Sequence, residues 1–237
     1  MKKHLNKVYK AIKTYSMISA GDKVAVGISG GKDSLFLLDL LLAYKKTCGF
    51  DFDIVGITVD MGFENSNFEP LKNFMKERNV EYKIIPSSIK EVVFDVRKEK
   101  NPCSLCAKLR RGILCSSAKE LGCNKLALGH HTDDVVETFF LSLIFEGRIS
   151  SFAPVSYMSN TQITVIRPMI LFNESEVISA TQDYPIFKNP CPADKNSKRK
   201  EVKDFLTSLE TLHKDAKKHV LRAIQNPERT NLWNKEK

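Results

Sequence analysis

At 237 residues with 42% apolar content, the chain is long enough to bury a substantial core. No apolar run reaches the roughly 20 residues needed to cross a bilayer, and the basic start MKKHLNKVYK lacks the apolar stretch and cleavage site of a secretory signal. Membrane and secreted classes are thereby set aside in favour of a cytoplasmic protein, in which six cysteines point to metal or redox chemistry rather than a disulfide framework.

The net charge is +9, from 37 Lys and Arg against 28 Asp and Glu. It is concentrated in residues 1–13, in 97–111 and in the tail from Lys195. Such basic patches suit a polyanion, because neutralising phosphates releases counterions and gives sequence-independent affinity. Residues 1–20 read as a basic N-terminal helix. Apolar runs at 23–29, 54–60, 82–86, 125–129 and 163–168 read as strands, and amphipathic stretches at 33–44, 68–78, 104–121, 133–145, 173–182 and much of 198–224 as helices. Strands that are apolar throughout and alternate with helices predict an α/β fold, a doubly wound parallel five-stranded sheet covered on both faces. This gives three regions: the N-terminal helix, an α/β domain over 21–186, and a Cys-containing loop with a C-terminal helical tail over 187–237. Ligands of such sheets bind beyond the carboxyl ends of the strands, where three unusual segments fall.

After the first strand comes SGGKDS, Ser29 to Ser34. Gly30 and Gly31 let the backbone turn tightly and approach a ligand, and the helix that follows adds the positive end of its dipole. Ser29 and Ser34 offer hydroxyls and Lys32 a mobile positive charge. Asp33 repels phosphate unless it caps the helix or holds a cation such as Mg²⁺. The segment is neither G-x-x-x-x-G-K-[ST] nor G-x-G-x-x-G. After the second strand comes VDMGF, whose Asp60 faces the same crevice.

The helix expected over 104–121 is entered by C-x-x-C, Cys103 and Cys106, in NPCSLCAKLRRGIL. The helix dipole and Lys108, Arg110 and Arg111 are expected to lower the thiol pKa there. The pair is compatible with a redox couple, half a zinc site or half a cluster site. Cys191, in the proline-fixed NPCP, is the third ligand the pattern suggests, while Cys48, Cys115 and Cys123 read as small core residues. Three cysteines are incomplete for structural zinc, whereas a [4Fe–4S] cluster on three thiolates keeps one iron open; zinc on three Cys and one His fits the sequence as well. After the fourth strand comes GHHTDD, Gly129 to Asp134. Asp133 and Asp134 suit a helix N-terminus, yet with His130 and His131 beside them they also suit an oxygen-ligand Mg²⁺ site.

SGGKDS resembles the PP-loop of the N-type ATP pyrophosphatase family, which grips a leaving pyrophosphate. Together with PCSLCAKLRRGIL, GHHTDD, IRPM (Ile166 to Met169) and NPCP, in the same order from about Val24 to Asp194, it resembles the tRNA 2-thiocytidine synthetase family. That resemblance implies an adenine nucleotide α-hydrolase-like fold and a tRNA thiolase that adenylates the C2 oxygen of cytidine 32 and exchanges it for sulfur delivered at a [4Fe–4S] cluster. It implies cluster ligands Cys103, Cys106 and Cys191, and an ATP site of Ser29, Gly30, Gly31, Lys32, Asp33, Ser34, Asp60, Gly129, His130 and Asp134. Mg²⁺ is expected at Asp33, Asp133 and Asp134; Arg110 and Arg111, one turn past the C-x-x-C, are placed to bind substrate phosphate or the α-phosphate, and a solvated helix face is the equal alternative. Implied partners are the tRNA anticodon stem-loop, a sulfur donor such as a cysteine desulfurase or free sulfide, and a second copy of the chain. Many relatives carry C-x-x-C at the last cysteine; here the run is CPAD, with Asp194 in place of the second thiol. Zinc-finger cysteines of the 2-thiouridine branch are missing. The rival readings are that branch, a cluster-free adenylating relative such as lysidine synthetase, and a non-catalytic RNA-binding module.

Overall fold

The computed structural model describes residues 2–64, 66–99, 102–185, 187, 191, 198–229, 231 and 232, with Lys2 as backbone alone. Six strands make one sheet in the order β3-β2-β1-β4-β6-β5. They are β1 (Lys23–Gly27), β2 (Asp53–Asp60), β3 (Glu81–Pro86), β4 (Lys125–Ala127), β5 (Val155–Met158) and β6 (Ile163–Ile166). β1 pairs in parallel with β2 and β4, β2 with β3, and β4 with β6. These are the five expected strands. The sixth, β5, corrects the expected count: it runs antiparallel to β6, with Val155 opposite Ile166 and Met158 opposite Ile163. Its four residues are too few to display a period, and the turn joining it to β6 uses Gln162 at φ +58° where a glycine would have signalled a hairpin.

Chain order reverses between β1 and β4, so the crevice at their carboxyl ends is the topological switch point where open α/β sheets bind ligands. The central strands β1, β2, β4 and β6 are mainly apolar because both faces are covered, whereas edge strand β3 exposes Glu81 and Lys83. Val24, Ala25, Val26, Val55, Ile57, Leu126 and Val165 are all buried. Helix α2 (Lys32–Lys45) buries Leu35, Phe36, Leu37, Leu38, Leu40 and Leu41, a pattern apolar all round, as a helix between the sheet and other helices requires. Each such side chain contributes about 1.5–3 kcal/mol.

Helix α1 (Lys2–Thr14) packs on α2 through His4, whose ring meets Phe36 edge-on at 5.5 Å. It is tied further by Lys7 Nζ, which donates to both oxygens of Glu176 at 2.7 and 2.6 Å. α3 (Glu69–Glu77) and α4 (Pro102–Glu120) complete the expected series, with one addition, a π-helix over Glu91–Val96 in a stretch where no element was expected.

Two compact units result, 1–131 with 153–195, and 132–152 with 196–237. The first holds the whole sheet, α1 to α4, and α6 (Glu174–Ala180), which opens with an Asn173/Glu176 capping box. The second holds α5 (Thr132–Glu146), α7 (Lys198–Leu212) and α8 (Ala216–Gln225) around Val136, Val202 and Leu206. The helical content expected over much of 198–224 is thus divided between α7 and α8. No helix among the described residues is long and apolar enough to cross a membrane.

Candidate active site

SGGKDS spans the corner from β1 to α2. Sheet pairing carries the chain right up to it: Ile28 N–H donates to Ile57 O, and Thr58 Oγ1–H to Ile28 O, both at 2.8 Å. Gly30 turns at φ +82°, where an L side chain is strained, and a Cβ there would stand 3.1 Å from Phe187 Cβ. Gly31 is the N-cap and supplies no side chain; Ser34 N–H of the first turn of α2 donates to Gly31 O at 3.1 Å, while the Lys32 and Asp33 amides, which have no intrahelical acceptors, suit an anion.

The serines, expected to face phosphate, knit the loop itself. Ser34 Oγ–H donates to Gly31 O at 2.9 Å and accepts from Ser29 N–H at 3.1 Å, while Ser29 Oγ accepts from Gly31 N–H at 3.3 Å. Lys32 Nζ lies 3.2 Å from Asp33 Oδ1 and 3.9 Å from Glu174 Oε1. Glu174, 142 residues further along the chain, is thus a neighbour of the loop that no local pattern signals. Asp33 Oδ1 is buried and accepts no hydrogen bond; His131 Nε2 stands 4.0 Å away. A buried carboxylate oxygen held by an ion pair to Lys32 rather than by hydrogen bonds fits a hard cation such as Mg²⁺ beside the loop.

The β4 end explains Gly129. A Cβ at this position would lie 2.9 Å from Asp33 O and 3.2 Å from Ser34 N, so only glycine lets the chain pass against the loop backbone. His131 beyond it is buried and His130 half-buried. On the β2 end, Asp60 Oδ1 accepts from Gly62 N–H at 2.9 Å, so its carboxylate shapes the turn after the strand. Asp133 and Asp134 begin α5 in the second unit. There Lys217 Nζ lies 3.7 Å from Asp133 Oδ1, and Arg199 donates to Asp134 Oδ1 at 2.9 Å and to the buried Glu137 at 3.0 Å. The acidic pair expected at Mg²⁺ is therefore also held by cations of α7 and α8.

Cys103 and Cys106 sit one turn apart at the start of α4, Cys103 exposed and Cys106 partly buried, as is Cys191. Burial pushes the Cys106 thiol up; Arg110 pulls it down, and the nearby Cys191 and Cys103 push it up again. The expected lowering does not occur at Cys106, because desolvation of the thiolate outweighs the arginine. That same interaction puts three thiols in one neighbourhood. Among the described residues no three His, Cys, Asp or Glu side chains form a ready-made metal cage. Three soft thiols, two of them at i and i+3, are nevertheless the donor set a [4Fe–4S] cluster takes, so the residues fit the group. Asp194 and the prolines around Cys191 lie outside the described residues. Cys115 and Cys123 are buried as expected, and Cys48 is half-buried.

The adjacent arginines act in different places. Arg110 influences Cys106, whereas Arg111 influences Cys115 and the IRPM residue Arg167. Arg167 is 2% exposed and donates to Ala153 O at 2.6 Å and Ser156 Oγ at 3.3 Å. Burial, with Arg111 close by, presses its pKa down to about 10. It remains a cation at neutral pH, and the IRPM motif was its only signal in the sequence.

A glycine-turned phosphate cradle between strand and helix, at the switch point of a parallel sheet, defines a PP-loop domain, and a family model of that description matches residues 1–209. A tRNA-cytidine(32) 2-sulfurtransferase from Pseudomonas entomophila (strain L48) is 40% identical over 221 residues, 92% of this chain and 81% of the relative. One from Aliivibrio fischeri (strain MJ11) is 37% identical over 91% of this chain and 72% of its own. The chain belongs to the PP-loop family of tRNA-cytidine(32) 2-sulfurtransferases. Among solved structures, the U34-tRNA thiolase NcsA from Methanococcus maripaludis with its [4Fe-4S] cluster matches 97% of this chain and 79% of that one, with a TM-score of 0.78 at 29% identity.

Proposed function

We propose that the chain is an ATP-dependent tRNA sulfurtransferase that converts a cytidine, at position 32 of the anticodon loop, to 2-thiocytidine. One observation carries the reading: the SGGKDS cradle and the Cys103–Cys106–Cys191 neighbourhood lie in the same unit of a chain 40% identical to a named tRNA-cytidine(32) 2-sulfurtransferase.

The base's C2 oxygen attacks the α-phosphorus of ATP, forming a C2–O–P bond as the bond to the β-phosphate oxygen breaks. Lys32 and the first-turn amides of α2 stabilise the charge that develops on the departing pyrophosphate, and they do so from fixed positions because the serines brace the loop. Asp33 would hold Mg²⁺, which neutralises phosphate charge. Sulfur then adds at C2 and AMP leaves, so oxygen departs with phosphorus and no electrons are exchanged. Cys103, Cys106 and Cys191 would hold a [4Fe–4S] cluster, which supplies a Lewis-acidic iron that presents sulfide. His130, Gly129 and Asp60 line the nucleotide side of the crevice, and Arg110 and Arg111 receive substrate phosphate. A single-stranded loop suits this site because its bases can be splayed out. The sulfur comes from a cysteine desulfurase or free sulfide; homodimerisation rests on the family resemblance alone.

Anaerobically purified protein should be brown, with a broad visible band lost on replacing Cys103, Cys106 or Cys191, and should release pyrophosphate only with both ATP and tRNA. A colourless protein with one zinc per chain overturns the cluster, and release without tRNA overturns the substrate.

A further inference from the structure

Met61 follows directly on β2, at the carboxyl edge of the sheet, and its Sδ lies 3.6 Å from Cys106 Sγ. Core packing explains part of this, since Met61 rests with Phe94, Leu105 and Leu109 against the buried cluster of the first unit. Packing alone does not require so firmly fixed a backbone. Met61 O accepts from Lys90 N–H at 2.9 Å, and the next peptide is pinned by Gly62 N–H to Asp60 Oδ1 at 2.9 Å. Gly62 itself stands at φ +83°, where an added Cβ would lie 3.0 Å from Ser87 O. A braced turn thus delivers a thioether to the thiol that already has Cys103 and Cys191 as neighbours.

Resting on the cluster reading above, we infer that Met61 is the fourth, displaceable sulfur donor of the three-cysteine site. Methionine is flexible, polarizable and soft, the donor type that iron–sulfur and other thiophilic centres accept, and it is neutral. It can therefore occupy the valence that three thiolates leave open and yield it to an incoming sulfide anion. One sulfur–iron bond is exchanged for another, and no electron moves. An open iron in water invites oxidation and loss, so a neutral occupant that a sulfide outcompetes protects the centre between turnovers.

The test uses anaerobic holoprotein as wild type, Met61→Leu and Met61→Cys. Leucine keeps the volume and the apolar packing without the donor, and cysteine replaces a weak donor with a strong one. Each protein is titrated with sodium sulfide while the electron paramagnetic resonance of the reduced cluster is followed; in parallel, decay of the visible band is timed in air. Met61→Leu is expected to take sulfide about tenfold more tightly and to lose the band about tenfold faster. Met61→Cys is expected to leave the resonance unmoved by sulfide. If Met61→Leu matches wild type in both readouts, or Met61→Cys answers sulfide as wild type does, the assignment is overturned while the cluster reading stands. A wild-type protein with no visible band overturns both.

Discussion

In the proposed reaction Asp33 is the residue on which the loop's chemistry turns, since it sets a carboxylate, one oxygen of which is buried and ion-paired to Lys32, beside the proposed phosphate site. Asp33→Asn keeps the shape and removes the charge; pyrophosphate release should fall roughly a hundredfold while tRNA retention in a filter assay stays unchanged. Equal turnover would remove Asp33 from the metal role. Gly129 gives a different kind of prediction. Alanine there would set its Cβ against the backbone of Asp33 and Ser34, so the phosphate loop must shift. Gly129→Ala should cost about 1–3 kcal/mol in urea unfolding and slow pyrophosphate release about tenfold. A variant as stable and as fast as wild type would show that the loop tolerates the intrusion. Residue types at this scale were legible where chemistry restricts them to a few choices: two glycines, a lysine and an aspartate at a strand-to-helix corner have few other uses. Glu174 beside Lys32 and Met61 beside Cys106 were not legible, because their meaning comes from neighbours more than 40 residues away in the chain.

The strand-and-helix series was readable because the central parallel strands are mainly apolar on both faces, α2 is apolar all round and α3 is apolar on one side. β5 escaped for want of length, and the π-helix at Glu91–Val96 has a period that a 3.6-residue search does not register. The thiol pKa failed for another reason: the dipole and arginine are visible in sequence, but the burial of Cys106 is not. Tertiary placement also decides the contact between α1 and α6. Burial raises the Glu176 carboxyl, but the Asn173 N–H and Lys7 more than offset it, leaving the pKa below its ordinary value of 4.5. A depressed carboxylate adds stability that is complete above its unfolded pKa and is lost as pH falls through the folded one. Glu176→Gln should therefore cost about 1 kcal/mol near neutral pH, with the gap to wild type closing as pH drops below the ordinary carboxylate range. A gap that persists unchanged into acid would assign the effect to packing instead.

For the molecule as a whole, charge and chemistry point to one partner. With a net charge of +9, tRNA binding should weaken about tenfold or more when salt rises from about 50 to 200 mM, as counterion release requires. A salt-independent affinity would place recognition outside the basic surface. In the proposed reaction the SGGKDS loop serves the activation of an oxygen and the three thiols its replacement by sulfur, so the central claim concerns the product. Its most direct measurement is mass spectrometry of nucleosides from tRNA of cells lacking this gene. The account predicts that 2-thiocytidine disappears and returns when the intact gene, but not a Cys106→Ala version, is restored. Undiminished 2-thiocytidine in the deleted cells would contradict it.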